Sequence, residues 1–349
     1  MNHLEKLTRL DGLDIARLLA FLGMVIVNFT IVMGTEGSNS LLSILVNPLQ
    51  GRAAASFVIL AGIGLGLAAR RSAPSLGYIT LKRAAFLLVL GLLNSLIFEA
   101  DILHYYALYF LMGIAFLGVS NRILIFSIAL INLIFLALLF LLNYEFGWDW
   151  KSYQYAGFWT FDGFIRNLFF NGWHPVFPWS GFFLFGIWLS RLNLASRATQ
   201  NKLICYGVFT LVITELVSNF FAAQLAAEPD LVALFGTTPI PPAPLYIITG
   251  MAFTSTLIGL CLRFSNWFAS QKISALVLPA GRQTLTLYIA HIYLGMGSLE
   301  ALGLLGNQTL ESALLASLIF FVVSVVFAWL WNKRFKHGPV EILMRGLTG

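Results

Sequence analysis

The chain has 349 residues, of which 59% are hydrophobic and only 10% charged, and its formal net charge is +6. Soluble domains carry about 25% charged residues, so this composition, with a mean hydropathy of +0.84, excludes an ordinary soluble domain. It specifies an all-α polytopic integral membrane helix bundle, with the lipid bilayer as first partner. The pI of 9.4 needs no nucleic acid, because that reading requires the charge on one folded basic face.

Apolar runs of about 20 residues, long enough to cross a bilayer as helix, recur ten times. They lie at 13–33, 52–69, 82–98, 102–119, 123–142, 176–193, 203–224, 244–262, 281–299 and 311–331. The N-terminus does not read as a cleavable signal, since Glu5, Asp11 and Asp14 spoil its positive region and no small-residue cleavage site follows. In the first span, LDIARLLAFLGM, Arg17 stands one turn after Asp14, as an ion pair or as an anion clamp. Asn28 lies about 16 Å further along the same helix. The second span opens at Arg52 and ends in Arg70-Arg71, and the third begins at Lys82-Arg83. In EADILHYYALYF, Asp101 precedes His104 by three residues, so on a helix the two share a face. The carboxylate either orients the imidazole, as the third group does in a base dyad, or simply caps the helix.

The longest connection is 143–175. Within it Phe161, Phe164, Ile165, Leu168 and Phe169 follow the spacing of an amphipathic helix, which is expected to lie in the membrane interface. It ends in NGWHPVFPW, with Asn171, Trp173, His174 and Trp179 close together. Pro175 suits a first helical turn and would set His174 near the N-cap. A helix N-terminus disfavours imidazolium, so the ring is either a neutral proton acceptor or an interfacial cap. Glu215 is mid-span with no partner in sequence. Loop 225–243 contains TTPIPPAP, a rigid extended connection. His291 lies deep in the ninth span, where it must face the bundle interior or water or bridge helices. The tail, 333–349, reads as a short interfacial helix whose basic residues suit anionic lipid heads. Cys205 and Cys261 have no metal-ligand or disulfide spacing, and no metal is expected. A short echo, LAGIGL (60–65) and LFGIWL (184–189), has the form of the paired repeats common in transporters.

With both termini cytoplasmic, all of the 21 Lys and Arg except Arg52, Lys151 and Arg166 fall on the inner side or its edge, as the positive-inside rule requires. No soluble domain interrupts the pattern, so residues 1–349 read as one transmembrane domain.

The segment RLDGLDIARLLAFLGMVIVNF resembles the first span of the YeiB-like family, related to heparan-α-glucosaminide N-acetyltransferase and the wider transmembrane acyltransferases. Asp14, Arg17 and Val27-Asn28-Phe29 match its Asp-x-x-Arg and Val-Asn-aromatic pattern. GRAAASFVILAGIGLGL, ADILHYYALYFLMG, NGWHPVFPWSGFFLFGIWLSRL, GRQTLTLYIAHIYLGMG and HGPVEILMRGL fit its later segments in order, over nearly the whole chain. Leu18 stands where the family usually has Gly. The heparan enzyme carries its catalytic His in the first outer loop, whereas residues 34–51 here contain none, so a base has to come from elsewhere.

The resemblance implies transfer of an acyl group, with acetyl expected, from cytoplasmic acyl-CoA to a hydroxyl or amine of a sugar or small molecule on the outer side. It implies a bacterial cytoplasmic (inner) membrane. Acyl transfer needs a base for the acceptor and donors for the developing oxyanion. His174 ranks first as base, His104 with Asp101 second and His291 third. Asn28 and Asn171 are the candidate donors, and Arg52, Trp173 and Trp179 the candidate acceptor-binding residues. The CoA phosphates need cations, for which Arg17, Arg70, Arg71, Lys82, Arg83 and Arg282 are available. His291 is deep enough to meet the acyl-pantetheine arm. A small-molecule transporter or exporter and a non-catalytic assembly factor are the competing classes, and association into a homo-oligomer is left open.

Overall fold

The structure is a computed structural model and describes residues 10–35, 41–71, 75–271 and 273–349. In chain order the helices are α1 (Asp11–Val32), α2 (Ser43–Val46), α3 (Arg52–Ala69), α4 (Leu76–Asn94), α5 (Leu103–Phe116), α6 (Asn121–Leu141), α7 (Phe161–Arg166), α8 (Val176–Ser190), α9 (Arg197–Gln224), α10 (Pro229–Leu234), α11 (Pro244–Ser270), α12 (Ile273–Arg282), α13 (Thr284–Ala290), α14 (Gly297–Ala301), α15 (Leu310–Asn332) and α16 (Pro339–Thr348). Two-residue strands β1 (Trp148–Asp149) and β2 (Gln154–Tyr155) form a small antiparallel hairpin in the long loop.

Among the described residues seven helical segments are long and apolar enough to cross a membrane: α1, the run Ser43–Ala69 that ends in α3, α4, α6, α9, α11 and α15. Three expected spans take another form. Residues 102–119 and 176–193 give α5 and α8, of 14 and 15 residues. Residues 281–299 break into the end of α12, α13, a π-helical turn (His291–Met296) and the start of α14. Broken backbone at membrane depth is tolerated only where protein or a cavity surrounds it; α8 is largely buried, and α5 and α13 bury the faces that carry His104 and Tyr288. Around them α6, α9 and α15 turn apolar side chains outward, among them Phe126, Leu133, Phe140, Phe209, Phe220, Val322 and Leu330. Such a continuous exposed apolar belt belongs against lipid.

A close crossing in this core explains the short echo. Gly62 and Gly186, the glycines of LAGIGL and LFGIWL, face each other between α3 and α8. A Cβ on Gly62 would come 2.2 Å from the Phe183 carbonyl oxygen, and one on Gly186 would come 2.1 Å from that of Ile59. The shared pattern is a small-residue seam that lets two buried helices approach.

The loop 143–175 is only partly helical. Thr160 caps α7 by accepting from the Gly163 N–H at 3.2 Å, and a π-helical turn, Asn167–Asn171, follows. The β1–β2 hairpin folds over it. Glu99 accepts the Tyr155 N–H at 2.9 Å, and Arg166 Nε donates to the Tyr155 hydroxyl at 2.7 Å. Half-burial pushes the Glu99 carboxyl above its usual range, against the pull of that hydrogen bond.

Candidate functional site

Asp101 sits where α4 turns into α5 and is fully buried. One carboxylate oxygen accepts from Asn94 Nδ2 at 3.0 Å and from the Tyr288 hydroxyl at 2.9 Å. The other accepts the Leu103 N–H at 2.7 Å and the His104 N–H at 3.4 Å, and lies 3.4 Å from His104 Nδ1. Ile102, not Asp101, is the N-cap of α5, while the Asp101 carboxylate one residue earlier takes two N–H groups of its first turn and faces the His104 ring. Ser95 Oγ donates to the Gly91 carbonyl and lies 3.5 Å from His104 Nδ1. With acceptors on that side, Nδ1 carries the ring proton and Nε2 is the lone-pair nitrogen. Nε2 is buried without a partner. The ring packs against Tyr105 at a tilt, 3.9 Å between centroids.

The second buried pair spans most of the chain. His291, in the π-helical turn after α13, directs Nδ1 at the Tyr288 carbonyl, so Nδ1 is the donor there. Its Nε2 lies 3.0 Å from Asn28 Nδ2 and accepts one amide hydrogen. An amide nitrogen has two donors, which leaves the second Asn28 N–H for another acceptor. His291 is fully buried.

Asn28 opens onto a cavity of about 250 Å³, also lined by Met24, Ile102, Trp173, His174, Trp179 and Tyr288. Pro175, not His174, is the N-cap of α8, and Phe177 is still non-helical. His174 thus stands outside the helix and caps nothing. Its carbonyl accepts from the Tyr109 hydroxyl, and its ring packs edge-on against Trp179 at 4.6 Å. Burial, with His104 as a lesser cause, pushes the His174 ring down to about 3. His174 Nδ1 and the indole nitrogens of Trp173 and Trp179 are buried without partners. The walls are thus aromatic, with three ring nitrogens unmatched. Thr238, Pro239 and Ile240, from the proline-rich loop, close one side.

That cavity meets a vestibule of about 820 Å³ containing Arg52 and Glu215, with Gln50, Thr238 and Pro239 common to both. Glu215, unassigned from sequence, accepts from Arg52 NH2 and from the Thr237 hydroxyl.

A third cavity, about 450 Å³, lies towards the Arg17 end of α1. Arg17, Arg83 and Arg345 line it, with apolar walls that include Phe57, Leu60, Leu87 and Phe110. Met24, Ile102 and Tyr288 belong to this cavity and to the His174 cavity alike.

The remaining expected residues have other employment. Arg282 Nε donates to Asp14 at 3.1 Å and its NH2 to Asp11 at 3.2 Å, while Arg17 NH1 donates to Asp14 at 2.7 Å. Arg70 bonds the Ser190 carbonyl at 3.0 Å, Lys82 lies over the Tyr78 ring, and Arg71 is exposed. None of Arg70, Arg71, Lys82 and Arg282 lines the arginine cavity. Asn171 gives both amide hydrogens to the Tyr144 and Phe146 carbonyls and accepts from the Tyr155 hydroxyl. It has no donor left for an oxyanion. Tyr288 and Arg345 were not singled out from sequence: a tyrosine inside an apolar span and an arginine in a basic tail carry no local signal.

Buried short helices wrapped by apolar ones, with polar groups converging on two adjoining cavities, define an integral membrane protein with an internal site. Two family models match the chain. Heparan-alpha-glucosaminide N-acetyltransferase, catalytic, covers residues 9–220, and a protein of unknown function (DUF418) covers residues 188–349. The first spans more than half the chain, and the protein belongs to that family, as its YeiB-like segments indicated. No curated protein and no solved structure matches it.

Proposed function

We propose that the protein is a membrane acyltransferase that takes an acyl group, expected to be acetyl, from acyl-CoA and passes it to a hydroxyl or amine. The observation that carries this reading is the common wall of Met24, Ile102 and Tyr288 between an arginine-bearing cavity and an aromatic one holding His174. A thioester whose phosphates lie near Arg17 and Arg83 would bring its carbonyl to that wall, and an acceptor among Trp173, Trp179 and His174 would meet it from the other side. His174, neutral and in the cavity, takes the proton as the acceptor attacks. The second Asn28 N–H suits the developing oxyanion. The thiolate of CoA leaves and recovers the proton from His174, so acyl-CoA and acceptor become acylated acceptor and CoA. His104 and Asp101 form a second candidate base, with the Tyr105 ring packed between the His104 and His174 rings.

In this reading the Arg17 end faces the cytoplasm and the His174 end the outer side of a bacterial inner membrane. α5, α8 and the broken segment α12–α14 complete ten crossings, with both termini inside. Aromatic faces and unmatched ring nitrogens favour a sugar or another hydroxyl-bearing small molecule. The transport alternative drew on the LAGIGL and LFGIWL echo, for which the Gly62–Gly186 seam gives a packing reason. Purified protein incubated with labelled acetyl-CoA and a panel of amino sugars and alcohols should release free CoA and label an acceptor. Export of those compounds from vesicles with no CoA release would replace the enzyme reading with transport.

A further inference from the structure

The C-terminal tail is expected to be an interfacial helix; α16 leaves Ile342, Leu343 and Leu347 exposed and packs its other face against α4 and α13. The turn into it is fixed by Trp331, whose indole N–H donates to the His337 carbonyl at 2.9 Å. At Gly338 a Cβ would crowd the Glu341 carboxylate and the Thr286 side chain, so glycine leaves room for the contact between them. Glu341 is buried. It accepts the Leu285 N–H at 2.8 Å, the Thr286 N–H at 3.2 Å and the Thr286 hydroxyl. These are first-turn donors of α13, which have no partner within their own helix. Val340 N–H adds a bond to Thr286 Oγ1 at 2.9 Å. The tail is thereby clamped to the helix that carries Tyr288.

The clamp delivers Arg345 to the cavity that Arg17 and Arg83 line. Arg345 lies close enough to Arg83 for the two charges to repel, and Arg83 Nε is buried without a partner. Among the described residues lining this cavity none is Asp or Glu. Arg17 is also held by Asp14, but Arg83 and Arg345 meet no carboxylate among the residues lining this cavity, and two such guanidinium groups suit an anion that each can bond. The walls leading from them to Tyr288 are mostly apolar.

We propose that α16 is part of a binding site for a phosphate ester carried on an apolar arm, in which Arg345 binds phosphate and Glu341 is the positioning residue that holds Arg345 there. The identity of the occupant as acyl-CoA rests on the acyltransferase reading; the anion site does not.

The test is binding to the purified full-length protein in neutral detergent, with CoA, pantetheine, pyrophosphate and phosphatidylglycerol as probes. Arg345→Ala should weaken CoA binding about tenfold, as loss of charge-assisted hydrogen bonds does, and leave pantetheine, which lacks the phosphates, unchanged. Glu341→Ala should weaken CoA similarly, and Glu341→Gln, which keeps an acceptor oxygen for α13, should restore most of the affinity. A merely structural role for the tail would lower CoA and pantetheine binding together. Unchanged CoA affinity in folded Arg345→Ala and Glu341→Ala proteins would overturn the proposal while leaving the acyl-CoA reading intact. Arg345-dependent binding of pyrophosphate or phosphatidylglycerol without any of CoA would uphold the anion site and overturn acyl-CoA as its occupant.

Discussion

The two cavities that meet at Tyr288 are built on opposite principles. On the His174 side two polar groups are held by buried partners, Asn28 by His291 and Tyr288 by Asp101, and three ring nitrogens are buried unmatched. On the arginine side the groups are long, charged and partly exposed, and one arrives on a tail helix from the end of the chain. Buried hydrogen bonds fix position, which bond-making steps require. Flexible cations supply attraction, which capture of an anion requires. The contrast assigns chemistry to one side and binding to the other, and it can be broken by variants that move the wrong quantity.

The largest effect is expected at His174. His174→Ala should lower turnover by about 10²–10⁴ while CoA affinity survives. Near-normal turnover in His174→Ala together with abolition in His104→Ala would move the base behind Tyr105 and into the Asp101 pair. Next comes Asp101 itself. Asp101→Ala would leave Asn94, Tyr288 and two backbone N–H groups without their buried acceptor. A buried donor left unsatisfied costs about 1–3 kcal/mol, and four are orphaned together, so the thermal midpoint in detergent should fall sharply. A midpoint close to wild type would mean that water replaces the carboxylate and that the Tyr288 anchor is not buried as described.

On the binding side, Arg17→Ala should raise the Kd for CoA by about tenfold with turnover at saturation nearly intact. Asp14 keeps Arg282 as a partner in that variant, so folding should be little affected. A fall in turnover at saturating CoA with no change in Kd would remove the division between the cavities.

How much of this was legible in the sequence depends on how far each contact reaches along the chain. Asp101 and His104 share one helix end, so spacing alone brought them together. Asn28 and His291 lie 263 residues apart, and only the packing of α1 near α13 joins them. Asn171 was read as a free donor because the hairpin that consumes its amide comes from a loop with no periodic signal. That α5 and α8 are short and packed inside the bundle was not legible for a related reason: an apolar run reads the same whether it faces lipid or lies buried in protein. The tail was legible as a helix, but Glu341, the residue that turns its face inward, looks like any charged residue on a solvated side.

A smaller effect concerns pH. The His174 ring titrates near 3 in the folded protein and near 6.5 when unfolded. Between those values the unfolded chain binds the proton and the folded one does not, so stability contributed here is full above 6.5 and falls as pH falls towards 3. Wild type should therefore lose more of its thermal midpoint between pH 7.5 and 4.5 than His174→Gln does. Equal losses would show that the ring is not held neutral in the cavity.

The smallest expected effect separates structure from recognition at the vestibule. Arg52 and Glu215 form an ion pair whose side chains are 11% and 39% exposed, and pairs this open contribute about 0–1 kcal/mol. Glu215→Gln should thus barely move stability, although it also accepts from Thr237 and so ties the proline-rich loop to α9. If the pair is only a strap, Arg52→Ala and Glu215→Gln should behave alike, with small and equal changes in the acceptor KM. If Arg52 receives the acceptor, the two should diverge. Arg52→Ala would raise the acceptor KM by about fivefold or less, within that same energy range. Glu215→Gln, which frees the guanidinium, would leave the KM unchanged or lower it. The Kd for CoA, set in the other cavity, should move in neither variant. Divergence confined to the acceptor would extend the division between the two sides of Tyr288 out to the vestibule, and parallel behaviour would confine Arg52 to holding the loop.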